Sequence, residues 1–197
     1  MLHALSVDVE DWYHDSLEQP AVGRERVEAN TDRLLEIFAE AGALATFFVL
    51  GQVAERHPQL VRRIAAAGHE IGSHSHSHAL LPQCTADELR AEIEGSKLKL
   101  ESALGTPMTT FCYPNGSTDQ RSVALVREAG YRAGVTTQWG SNARGDDPYR
   151  LQRFNMNAAH AQDRWGRFSE ARLAWRMSGL QPGLTGTKQD PYSGASA

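Results

Sequence analysis

His74 and His78 stand four residues apart, behind a Gly68-His69-Glu70-Ile71-Gly72 run that reads as a short strand. Imidazoles at i and i+4 share one face of a helical turn, so both can reach a single divalent ion. With His76 between them, an exposed polar loop is the competing reading. A second cluster, Asp8-Val9-Glu10-Asp11, closes the first strand-like run and weighs toward the metal reading. An ion held by two imidazoles still needs an oxygen ligand, and a hydrolytic site needs a base. These carboxylates can supply both. Strand alternation puts Glu10 on the same side as Asp8, whereas Asp11 is better placed if the chain turns after Val9. Both stay open as the third ligand.

The elements that must bring these clusters together alternate between strand and helix patterns. Residues 3–9 are β-rich, and residues 22–41 have helical periodicity through Val27, Leu34, Leu35, Ile37 and Phe38. Gly42 follows in the position that suits a left-handed C-cap. Residues 43–50 are a continuous apolar run, as expected of a buried parallel strand. Residues 51–67 read as a second helix with a turn or restart at Pro58, and residues 69–72 as the next strand. Thr85-Ala86-Asp87-Glu88 has the form of a capping box and opens a helix running to Gly105. A strand over 109–113, a helix over 119–129, and strands over 131–137 and 151–156 complete the pattern. Repeated strand–helix units predict an α/β fold, a parallel sheet with helices outside, closing toward a barrel. Active sites of such barrels lie at the C-terminal strand ends, which is where the candidate residues fall.

These segments resemble the polysaccharide deacetylase (NodB-homology) family. Its members open on a strand with an acidic motif, here Leu5-Ser6-Val7-Asp8-Val9-Glu10-Asp11, and continue through a Thr-Phe-Phe strand, here Ala45-Thr46-Phe47-Phe48-Val49. A His-Ser/Thr-x-x-His motif follows Gly-His-Glu-Ile, here His74-Ser75-His76-Ser77-His78. Tyr113-Pro114-Asn115-Gly116 looks like the family's Arg-x-Pro-Tyr-Gly or Tyr-Pro-Tyr-Gly loop. The opening is most similar to a subgroup with an Asp-Val-Glu-Asp motif, associated with bacterial exopolysaccharide loci. The resemblance covers roughly residues 2–157. It implies a distorted or incomplete (β/α) barrel of the NodB-homology type. The length agrees, because a full barrel normally takes ~250 residues and the chain has 197.

The resemblance also implies a metal-dependent hydrolase that removes N-acetyl groups from an amino sugar in a polysaccharide or its precursor. Asp8 would be the general base. His74, His78 and one of Glu10 or Asp11 would bind one divalent ion, zinc first, with cobalt, nickel or manganese as alternatives. A backbone N–H, that of Asn115, would stabilise the tetrahedral intermediate. Tyr113, Pro114 and Trp12 are the expected contacts to the sugar. Two departures stand out. The family's arginine, which often braces the base, falls at Cys112, and no Leu-x-His follows near the end, leaving His160 as the nearest candidate proton donor, with His14 and His76 as alternatives. Two other functions remain: hydrolysis of another non-peptide C–N bond, as in a cyclic amide or imide, and a metal-binding, catalytically weak relative.

Composition narrows the rest. One domain of this size can bury a substantial core. A net charge of −4 gives no electrostatic reason to expect a nucleic-acid partner. The two cysteines, Cys84 and Cys112, match no disulfide framework. No run approaches the ~18 apolar residues of a membrane span. If Met1 is the native start, there is no room for a signal peptide and a cytoplasmic location is expected. The expected layout is a catalytic domain over 1–160, an amphipathic helix over 161–178 containing Trp165, Phe168, Leu173 and Trp175, and a disordered Gly-, Pro- and Ser-rich tail over 179–197.

Overall fold

Among the described residues, five short strands line up in chain order, β1 (Ser6–Val9), β2 (Thr46–Val49), β3 (Glu70–Ser73), β4 (Thr110–Cys112) and β5 (Ala133–Val135), each parallel to its neighbours. The structure is a computed structural model that describes residues 5–10 and 26–153. Parallel neighbours need a crossover connection, and helices supply it: α1 (Val27–Ala41), α2 (Gly51–Arg56), α3 (Pro58–Ala66), α4 (Ala86–Arg90), α5 (Ser96–Leu104) and α6 (Gln120–Glu128). A sheet whose spatial order follows its sequence order is the beginning of a barrel, and here it curls into a half-barrel. This is the distorted NodB-type barrel that the sequence implies.

Local signals account for most element boundaries. Gly42 ends α1 at φ 60°, a conformation that costs a residue without Cβ little. Pro58 sits at the first turn of α3 and restarts the helix there, splitting residues 51–67 into α2 and α3. Thr85 and Glu88 form the reciprocal capping box. The helix expected from there to Gly105 is interrupted by a π turn, Ala91–Gly95, between α4 and α5. Within the described residues, the strand expected over 151–156 is a single parallel bridge from Leu151 to Val135.

The core explains why β2 reads as uninterrupted apolar residues. Phe47, Val49 and Leu50 are fully buried with Leu60, Val61 and Ile64 from α3 and Phe111 from β4. His69 belongs to this core. Its ring packs 4.9 Å from Phe47, and its Nδ1 accepts the Ala45 N–H at 3.2 Å. Among the described residues no helix is long and apolar enough to cross a membrane. The expected boundaries at 160 and 178 lie outside the described residues.

Candidate active site

Sheet register builds the site. Val9 pairs with Val49, Val49 with Ser73, and Ser73 with Phe111, so the C-terminal ends of β1 to β4 stop side by side. The residues at that rim are Asp8 on β1, Glu10 and His74 one residue past β1 and β3, and Cys112 at the end of β4. Strand alternation carried one residue past β1 turns Asp8 and Glu10 to the same side.

His74 and His78 do converge, with ring centroids 5.0 Å apart, but not on a helical turn. Residues 74–78 form an irregular loop in which Ser75 (φ 70°) and His78 (φ 66°) are left-handed. Two such non-glycine residues in one short loop are uncommon and costly. The hydroxyl of Ser75 offsets part of that cost by accepting the His78 N–H at 3.2 Å. The fourfold spacing is therefore reproduced by a folded-back loop rather than by helix geometry.

The two imidazoles meet Glu10. His78 Nε2 lies 3.2 Å from Glu10 Oε2, and one ligand atom from each of Glu10, His74 and His78 falls within 4.8 Å of the others. His74 Nδ1 lies 2.9 Å from the Cys112 carbonyl oxygen. A carbonyl only accepts, so Nδ1 carries the proton and Nε2 presents its lone pair to the cluster. Asp8, His74 and Cys112 make a second group of the same tightness. It is the poorer donor set, because Arg153 occupies Asp8 and burial, with the Asp8 charge, pushes the Cys112 thiol well up.

Arg153 brings an arginine to Asp8. Its NH1 donates to Asp8 Oδ1 at 2.8 Å and its NH2 to Asp8 Oδ2, a two-pronged grip on a mostly buried carboxylate. Its own Nε donates to the Thr136 carbonyl at 3.1 Å, which fixes the guanidinium. Burial raises the Asp8 carboxyl, but the charge of His74, when its ring is protonated, and the Arg153 fork outweigh it and the net shift is downward. Asp8 Oδ2 lies 3.8 Å from His74 Nε2. Sequence reasoning missed Arg153. The available signal was the strand-like run from Leu151, which carries a single cation at its third position.

The loop Tyr113-Pro114-Asn115-Gly116 forms a tight turn in which Asn115 (φ 53°) and Gly116 (φ 68°) are left-handed. Thr137 Oγ1 donates to the Asn115 carbonyl at 3.0 Å, and any Cβ at Gly116 would collide with Thr137. The Tyr113 ring is a correction to expectation. It is fully buried against Phe111 and Gly134, so it packs the core and offers no face to a sugar; Pro114 is buried too. Asp11, Trp12, His14 and His160 lie outside the described residues.

A family model described as polysaccharide deacetylase matches residues 18–134. A chitooligosaccharide deacetylase of Rhizobium leguminosarum bv. trifolii is 40% identical over 73 residues, 37% of this chain and 34% of the relative. A peptidoglycan-N-acetylglucosamine deacetylase of Bacillus cereus is 30% identical over 114 residues, 58% of this chain and 53% of the relative. The chain thus spans between about a third and about half the length of these relatives. Among solved structures, a Streptococcus pyogenes deacetylase in complex with acetate has the same fold, with TM-score 0.64 at 20% identity over 77% of this chain and 65% of that one. A CE4 family pseudoenzyme from Bacillus anthracis also shares it, with TM-score 0.55 at 23% identity over 66% of this chain and 41% of that one.

Proposed function

This chain belongs to the polysaccharide deacetylase family, and on that premise we propose that it is a metal-dependent hydrolase removing N-acetyl groups from an amino sugar in a polysaccharide or its precursor. One observation carries the reading: a two-imidazole, one-carboxylate donor set stands beside a separate carboxylate gripped by an arginine. Glu10, His74 and His78 fit a divalent ion in number and type, with zinc the first expectation. An ion held there supplies Lewis acidity, which lowers the pKa of water and polarises a carbonyl.

The chain's own residues supply the rest. The His74 Nδ1–H bond to the Cys112 carbonyl keeps Nε2 as a ligand lone pair and fixes the ring plane. Asp8 takes the proton from the attacking water while Arg153 holds the carboxylate in place. Each Asp8 oxygen keeps a second lone pair, so the arginine's grip does not exhaust its capacity to accept that proton. The backbone N–H of Asn115 is the proposed donor to the tetrahedral oxyanion. His160 is the proposed proton donor to the amine that leaves as the C–N bond breaks.

The Bacillus anthracis pseudoenzyme shows that proteins of this fold need not be active. The Arg153–Asp8 grip favours the active reading, because a bare neutral Cys112 beside the base would leave it unbraced. The test is acetate release by metal-loaded protein across N-acetylated oligosaccharides. Release that a chelator abolishes is expected. Bound metal without turnover of any amide would make this a catalytically weak relative, and turnover confined to cyclic amides or imides would move the substrate class.

A further inference from the structure

Glu92 is a buried carboxylate, 7% exposed, that the hydrolytic scheme does not use. It reaches from the π turn into the loop between His74 and His78. Its Oε2 accepts the N–H of His76 and the N–H of Ser77, each at 2.9 Å, and its Oε1 accepts the Ser77 hydroxyl. Three bonds thus converge on the two residues between the imidazole-bearing ones. Charge-assisted bonds of this kind are roughly twice as strong as neutral ones.

The first residue of α5, just after the turn, grips the loop's root. Ser96 Oγ bonds Ser73 Oγ at 2.8 Å, one residue before His74, and the Ile93 carbonyl accepts from Ser96 Oγ (3.0 Å) and Tyr131 Oη (3.2 Å). From the other side, the Gly51 and Gln52 N–H groups donate to the Ser75 and His76 carbonyls at 2.9 and 3.0 Å. The loop backbone is therefore held on both faces, which lets two left-handed residues persist.

We propose that Glu92 is a positioning residue for the His74/His78 pair, fixing the loop backbone so that both imidazoles face one ion before it arrives. The inference rests on the metal-site reading above. The π turn is part of the device, since such turns shift a helix face by one residue and recur at functional sites. Glutamine at position 92 keeps the geometry: its carbonyl oxygen can accept both amides and its NH2 can donate to Ser77 Oγ. Alanine keeps none of it.

The probe is Co²⁺ added to the metal-free full chain, read by titration and by the visible absorption of the bound ion. Glu92→Ala is expected to weaken Co²⁺ binding about 10- to 100-fold, as removal of groups that orient metal ligands typically does, and to change the spectrum. Glu92→Gln is expected to restore wild-type affinity and spectrum. His74→Ala is the control for the site itself: wild-type Co²⁺ binding in that variant would overturn the metal reading. If His74→Ala loses cobalt while Glu92→Ala matches wild type, the positioning role alone fails. A Glu92→Gln variant as weak as Glu92→Ala would also overturn it, because charge rather than loop geometry would then be the contribution. Should Glu92→Ala not fold, Glu92→Asp, one methylene too short to reach the two amides, takes its place with the same two readings.

Discussion

Arg153 grips Asp8 across 145 positions of sequence, with NH1 on Oδ1 at 2.8 Å and NH2 on Oδ2. Cys112, where the resemblance places an arginine, contacts the same carboxylate through its thiol at 3.7 Å. The cation lies on the segment after β5, and the carboxylate it grips lies on β1. A planar fork matched to a carboxylate works from either direction, provided the plane is aligned.

Removing that fork should separate catalysis from metal binding. Arg153→Leu strips a mostly buried carboxylate of its guanidinium partner, and breaking such a pair costs about 3 kcal/mol or more, so its melting temperature should fall. Misplacement of the base should cost about 10²-fold in acetate release, with metal content unchanged. Arg153→Lys retains the charge without the fork and should recover part of the stability and little of the rate. Wild-type turnover in Arg153→Leu would show that the base needs no brace.

Asp8→Asn tests the base directly. Loss of a general base typically lowers the rate by ~10²–10⁴-fold. Metal content by elemental analysis should be that of wild type, because the proposed donor set is Glu10, His74 and His78. If metal disappears together with activity, Asp8 is a ligand instead.

The third ligand can be decided by comparison. His74→Ala and His78→Ala should each be strongly depleted in metal. Glu10→Gln should be depleted as well, since Glu10 Oε2 lies 3.2 Å from His78 Nε2, whereas Asp11→Asn should bind normally. The reverse pattern would transfer the role to Asp11.

Asp119 offers a prediction on stability that is independent of the site. It caps α6, with Oδ1 accepting the Ser122 N–H at 2.7 Å. Burial raises its carboxyl, but the bonds from Ser122 and Arg121 prevail and hold it below the ordinary 3.8. A carboxyl lowered on folding stabilises fully above its unfolded value, and the contribution fades as pH falls through the folded one. Asp119→Ala should therefore cost about 1 kcal/mol at neutral pH, and urea unfolding should show the gap narrowing below pH 3.8. A gap of constant size would mean that the ionised cap is not its source.

Much of this protein is legible locally because local signals act on the backbone they belong to. Gly42 supplies a left-handed stop, Pro58 pre-sets a helix start, and Thr85 with Glu88 satisfies free amides three residues apart. The alternation of strand and helix patterns then determines a parallel sheet, and with it the rim where Asp8, Glu10 and His74 must meet. The spacing of His74 and His78 marked them as a pair, but the expected helical turn was the wrong geometry. Their convergence depends on a loop strapped by Glu92 and by the start of α2, contacts that no fourfold spacing encodes. Arg153 and Glu92 are single charged residues in ordinary-looking segments, and only register and the curl of the sheet bring them to the site. Backbone propensity is a property of neighbours in sequence, whereas a buried ion pair or an amide strap exists only when distant segments have already packed. That is why the sequence alone determined the scaffold and marked His74 and His78 as a pair, and the tertiary structure decided how they are held.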